Sequence, residues 1–145
     1  MNTSGLELAG AVLYKCEGTK LRKDTRYPNG NTFLYAIEFT NSEPVLVKLF
    51  LEFLRKIIKI DEKRLKSELF LYPDMDKEKL KIFWSNTTNI SPENFHKTII
   101  LKAKTSKYKP NPLGTCKIRY VSKEAFLRLN AVIIKKLGFE ASLVK

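Results

Sequence analysis

Apolar positions along the chain switch between two periods. Leu6, Ala9, Leu13 and Cys16 recur at helical spacing, Ser4-Gly5-Leu6-Glu7 has the form of a capping box, and Gly18 is placed to close the helix as a left-handed residue. "TKLRKDTRY" then reads as a short basic strand, and Pro28-Asn29-Gly30-Asn31 as the turn of a hairpin. In "FLYAIEFT" the period falls to two, with Phe33, Tyr35, Ile37 and Phe39 on one face and Leu34, Ala36, Glu38 and Thr40 on the other. Ser42 as cap and Pro44 in the first turn open a helix striped by Leu46, Leu49, Phe50, Phe53, Leu54 and Ile57. "RLKSELFLY" alternates through Leu65, Ser67, Leu69 and Leu71, after which Asp74 or Asp76 caps a helix carrying Leu80, Phe83 and Trp84. A helical turn at Ser91-Pro92-Glu93-Asn94 leads to "KTIILKAK" and "GTCKIRYVS", two strands joined by a long basic hairpin through Tyr108, Pro110 and Pro112. In the second of them Cys116, Ile118 and Tyr120 face inward, and Thr115, Lys117, Arg119 and Val121 outward. A last helix with Phe126, Leu127, Val132, Ile133 and Leu137 ends at Gly138.

This order predicts one α+β domain over residues 1–145, an antiparallel sheet with helices on one face. The free face exposes two basic rows, Lys20/Arg22 and Lys117/Arg119, as suits strands laid into the groove of a polyanion.

Charge strengthens that picture. The 145 residues hold 27 basic against 15 acidic side chains, a net +12, and a pI near 9.7 is that of a nucleic-acid-binding domain. Between Asn94 and Ser122 stand Lys97, Lys102, Lys104, Lys107, Lys109, Lys117 and Arg119 without one Asp or Glu. These seven, with Lys20, Arg22, Lys23 and Arg26, are the expected DNA contacts. No leader-like start or membrane-length apolar run occurs, so the expected location is the cytoplasm, on the nucleoid when bound, away from membranes. Cys16 and Cys116 lack metal-ligand spacing and read as free core thiols in a reducing compartment.

Few chemistries survive the inventory. One histidine, His96, read as partly buried structure, supports neither a His pair nor a zinc site. Phosphate-cradling glycine loops are absent, and no serine has a base to activate it. Carboxylates with a hard cation remain. Asp61-Glu62-Lys63 reads as solvated loop, Asp74 and Asp76 as caps, and Glu38 as a partner of Lys20 or Arg22 or a neighbour of a metal. That leaves Glu17, in the last turn of the first helix, where the helix dipole favours cations by up to about 1 kcal/mol.

"AGAVLYKCEG", followed by a basic strand, a hairpin, "FTNSEP" and an amphipathic helix, resembles the single-motif branch of the LAGLIDADG homing endonucleases. The likeness in element order spans most of the chain, with a helix around Trp84 inserted into the family's αββα core; the residue-level motif covers about ten positions. In that family the motif helix packs against its twin, and an acid at its C-terminal end holds a catalytic divalent metal above the DNA. The resemblance implies that Glu17 is the metal-binding, catalytic acid and that Lys117, ahead of Arg119 or Lys20, stabilises developing charge. It implies a twofold interface through Ala9, Val12, Leu13 and Cys16, Mg²⁺ or Mn²⁺ as cofactor, and a pseudo-palindromic duplex as target. Val12 stands where the family usually has a small residue, and Lys15 where it often has an aspartate. The implied function is a homodimeric, metal-dependent DNA endonuclease. A non-cleaving DNA-binding transcription regulator of the same fold and an RNA-binding maturase-like module are the other readings.

Overall fold

Asn2, not Ser4, starts the first helix. The computed structural model describes residues 1–23, 26, 32–102 and 112–138, and in it α1 spans Thr3–Glu17 with the Asn2 carboxamide oxygen accepting from the Gly5 N–H at 2.7 Å. Ser4 and Glu7 then lie inside the helix and serve another purpose. Lys136 donates to the Ser4 hydroxyl at 2.9 Å and stands 3.7 Å from Glu7, with Lys135 at 3.4 Å, so the pair expected to cap α1 ties it to the last helix. Gly18 also departs from expectation, because its backbone is extended, with φ −78° and ψ 153°. A Cβ there would overlap the Tyr14 ring, so close packing rather than left-handedness requires the glycine.

The hairpin forms with a break. β1 (Arg22–Lys23) pairs antiparallel with β2 (Phe33–Leu34), and β3 (Ala36–Asn41) continues the second arm. Gly18 bridges Phe39, and from Gly18 to Arg22 the chain takes one residue fewer than from Leu34 to Phe39. Tyr35 lies at the break between β2 and β3, and β1 and β2 form a two-stranded sheet separate from that of β3. The Tyr35 carbonyl accepts from the Ser122 N–H at 3.0 Å and its ring meets Phe126 edge-on at 5.8 Å. The expected alternation fails in β3, where Ala36, Ile37, Glu38 and Phe39 are all buried.

α2 (Pro44–Phe53) follows, with Glu43 rather than Ser42 as cap and no side-chain capping bond. Its chain continues through a π-helical turn, Leu54–Ile58, that Lys59 ends in the left-handed region at φ 61°. β4 (Lys66–Leu71) keeps strict alternation, burying Ser67, Leu69 and Leu71. α3 (Lys77–Thr88), the helix around Trp84, is capped by Asp76, whose carboxylate accepts from Lys79 N–H at 3.1 Å. β5 (Ile99–Ile100), β6 (Thr115–Val121) and α4 (Lys123–Leu137) complete the order, with Gly138 left-handed at φ 78° as expected.

The sheet is α+β in class but mixed, in the order β3-β6-β4-β5. β6 pairs antiparallel with β3 and β4, while β5 runs parallel to β4, with Phe70 opposite Ile99. The expected β5–β6 hairpin is therefore corrected: β6 has both edges occupied, and after the 3₁₀ turn Pro92–Asn94 the chain returns beside β4 in the same sense. The His96 N–H donates to the Ser67 carbonyl at 2.8 Å to begin that pairing.

α1, α2 and α4 pack over the face that carries Ile37, Phe39, Leu69 and Ile118, and α1 touches both other helices. Phe39, Phe50 and Tyr14 stack in sequence, with centroids 4.4 and 5.8 Å apart. Gly10 lets α1 approach α2 closely, because a Cβ there would overlap the Phe53 ring. Trp84 is fully buried and its indole N–H donates to the Leu113 carbonyl at 2.8 Å. Among the described residues no helix is long and apolar enough to cross a membrane.

Candidate nucleic-acid interface

The C-terminal end of α1 is bound tightly to the sheet edge. Gly18 N–H closes the helix on the Tyr14 carbonyl at 2.8 Å, and Thr19 N–H donates to the Glu38 carbonyl at 2.9 Å. The buried Tyr14 hydroxyl donates to the Thr19 carbonyl at 2.6 Å and accepts from the Glu38 N–H at 3.4 Å. These bonds hold the backbone that follows Glu17 against β3, and the residue itself is exposed. The dipole problem at this helix end is met by Lys20, whose ammonium donates to the Lys15 carbonyl at 3.0 Å. Lys20 thus caps α1 and is half-buried rather than displayed in an open basic row.

The sheet face turned away from α1, α2 and α4 is a lattice of both signs. Register sets Glu38 opposite Arg119 and Arg119 opposite Lys66, and in the next row Thr40 opposite Lys117 and Lys117 opposite Glu68. Glu38, 1% exposed, takes a hydrogen bond from Arg119 at 2.5 Å and an ion pair from Lys117 at 3.3 Å. Lys117 also stands 3.9 Å from Glu68 and 5.9 Å from the centroid of the Phe70 ring. The expected bare basic row Lys117/Arg119 is thereby corrected: strand register places two acids, Glu38 and Glu68, among the cations Lys66, Lys117 and Arg119.

Of the other expected contacts, Lys23, Arg26, Lys97 and Lys102 are exposed, the last two on either side of β5. The Arg22 side chain and Lys104, Lys107 and Lys109 lie outside the described residues, as does most of the expected basic hairpin. Lys117 and Glu17 are not in contact. The Gly18–Phe39 bridge and the Phe39–Ile118 pairing put them two strand spacings apart, about 10 Å. Among the described residues no group of three His, Cys, Asp or Glu side chains is gathered in one place. A hard cation that keeps its waters needs only one or two carboxylates, and the residue Glu17 is exposed at the end of α1.

The face of α1 turned away from the core is apolar. Leu8 and Val12 are 46% and 43% exposed, Cys16 is exposed and Ala9 and Leu13 are half-buried. Of the expected interface residues Leu13 alone packs on the core. Cys116 is the core thiol, 3.2 Å from the Ser67 hydroxyl, and burial pushes its pKa up to about 12 against the lowering effect of that hydrogen bond. The expectation of two core thiols therefore holds for one of them.

The residues missed by the sequence pattern are Arg64, Lys66 and His96. With Lys63, Arg119 and Val121 they line one pocket at the end of the sheet. Lys63-Arg64-Leu65-Lys66 is a legible basic run, but nothing in it announces that His96, expected to be partly buried and in fact exposed, comes alongside. Compared with protein-family models, curated proteins and solved structures, the chain matches none.

Proposed function

We propose that the chain is a sequence-specific DNA-binding protein that acts as a homodimeric, metal-dependent DNA endonuclease. One observation carries the reading: a helix with apolar side chains exposed among the described residues ends on an exposed acid beside a charged sheet face. A second copy related by a twofold axis would cover Leu8, Val12 and Cys16 and bring the two Glu17 side chains together. Two carboxylates so placed repel unless a cation joins them. Mg²⁺ or Mn²⁺ would be held by Glu17 and would supply Lewis-acid chemistry at a phosphodiester. The net +12 favours a duplex laid over the sheet face. The resemblance to the single-motif LAGLIDADG endonucleases in "AGAVLYKCEG" and in element order supports the same function.

The engagement of Lys117 by Glu38 and Glu68 favours one alternative, a DNA-binding regulator that does not cut. Incubating a randomised duplex library with Mg²⁺ or Mn²⁺ separates the two. The endonuclease reading expects metal-dependent cutting that Glu17→Gln abolishes while binding persists. Binding without cutting by either protein selects the regulator, and tighter binding to structured RNA than to any duplex overturns both.

A further inference from the structure

Five basic side chains from three segments of the chain converge on one pocket of about 470 Å³. Lys63 and Arg64 come from the 3₁₀ turn Glu62–Arg64, Lys66 from the start of β4, His96 from the approach to β5, and Arg119 from β6, with Val121 as the apolar wall. Among the described residues no carboxylate lines it. Elsewhere on the surface cations meet acids: Arg55 with Glu62, Lys56 with Glu52, Arg128 with Glu124, Lys135 with Glu7. In this pocket the anchors are mostly neutral. Lys66 donates to the Asn94 side-chain oxygen at 3.0 Å, and Arg64 donates to the Val121 carbonyl and lies 5.3 Å from the centroid of the Tyr120 ring. Arg119 alone has an acid, Glu38. Among the described residues no ion pair joins Lys63, Arg64 or Lys66 to a carboxylate.

Cations gathered in a concavity repel one another and focus a positive field on the space between them. Neutral anchors fix their positions without spending their charge. A group with several anionic oxygens answers donors arriving from different sides, and a guanidinium fork matches phosphate in particular. We infer that this pocket receives a phosphate group, which, resting on the function proposed above, is a backbone phosphodiester of the bound nucleic acid. It shares Arg119 with the expected basic stripe but draws its other cations from elsewhere in the chain, and it adds a fixed point that sets where the duplex lies on the sheet.

His96 is the only histidine in the chain, so its ring protons are a single-site reporter in proton NMR. Wild-type protein is titrated at constant pH and ionic strength with inorganic phosphate and, separately, with a short duplex of arbitrary sequence. The same duplex is bound by Arg64→Met/Lys66→Met and by Lys56→Met/Lys135→Met over a range of salt. The expected result is a saturable shift of the His96 signals that the first double variant abolishes. That variant should also lose about 0.9 from the slope of log affinity against log salt, the value for one phosphate contact, while the second keeps the wild-type slope. A response to duplex alone supports the inference with the polymer as source. A response to phosphate alone supports the pocket and overturns the nucleic-acid reading. No response to either, with an unchanged slope, overturns the inference. Because Arg64 also holds Val121, loss of folding in the first variant leaves the wild-type His96 response to decide.

Discussion

With 1% of its surface exposed, Glu38 neutralises Arg119 at 2.5 Å and Lys117 at 3.3 Å. Glu38→Gln keeps the shape of the side chain and leaves two adjacent cations without their shared acid. Those partners are 31% and 24% exposed, so water offsets part of the cost, and the expected loss is about 1–3 kcal/mol. The same change raises the positive potential of the charged sheet face. A urea midpoint that falls while duplex affinity rises is the expected pair of results; weaker duplex binding would show that the face does not meet a polyanion. Cys116 gives a prediction in pH. Its folded pKa is about 12 against an ordinary 9.0, so folded and unfolded chains are both protonated well below pH 9. Above that the unfolded thiol ionises first, and stability falls as pH rises from about 9 toward 12, by at most about 1.4 kcal/mol per pH unit. Urea unfolding from pH 8 to 11 should show this extra slope in wild type relative to Cys116→Ala, and identical slopes would contradict it.

At the level of elements, α1 is held between α2 and α4 by contacts that a larger residue at position 10 cannot keep. Gly10→Ala drives a methyl into the Phe53 ring, and overpacking of this kind costs about 1–3 kcal/mol. Thermal melting should register it, and an unchanged Tm would mean that α1 and α2 are not in close contact. Much of this architecture is legible in the sequence where one period governs an element. β4 and β6 alternate as read, and Asp76 and Gly138 punctuate their helices as read. Legibility ends where tertiary context sets the choice. Nothing local says that Ser4 and Glu7 bind α4, or that Ala36 and Glu38 are buried although they lie on the face opposite Ile37. Strand partners are the same kind of case, since Ile99 and Ile100 pair with β4 only because β6 already lies between β3 and β4. Glu17 draws notice in the sequence because a carboxylate at a helix C-terminus needs a reason, and it is exposed at the end of α1. The basic pocket was not, because its members lie far apart in sequence and meet only when the 3₁₀ turns and strand ends are placed.

For the whole molecule, the charge excess and the apolar outer face of α1 point to two partners, a polyanion and a second copy of the chain. Leu8 and Val12 are open to solvent at nearly half of their surface, and a water-exposed apolar helix face gains by being covered. In the proposed dimer, covering it with its own twin would place the two Glu17 side chains at one axis, and the proposed chemistry depends on that placement. Sedimentation equilibrium at micromolar concentration tests it most directly, on wild type and on Val12→Glu, a substitution at an exposed helical position that leaves the core untouched. The account predicts that wild type sediments at twice the chain mass of 16.8 kDa and that Val12→Glu sediments at the single-chain mass. Wild-type protein that stays monomeric across that range would contradict it.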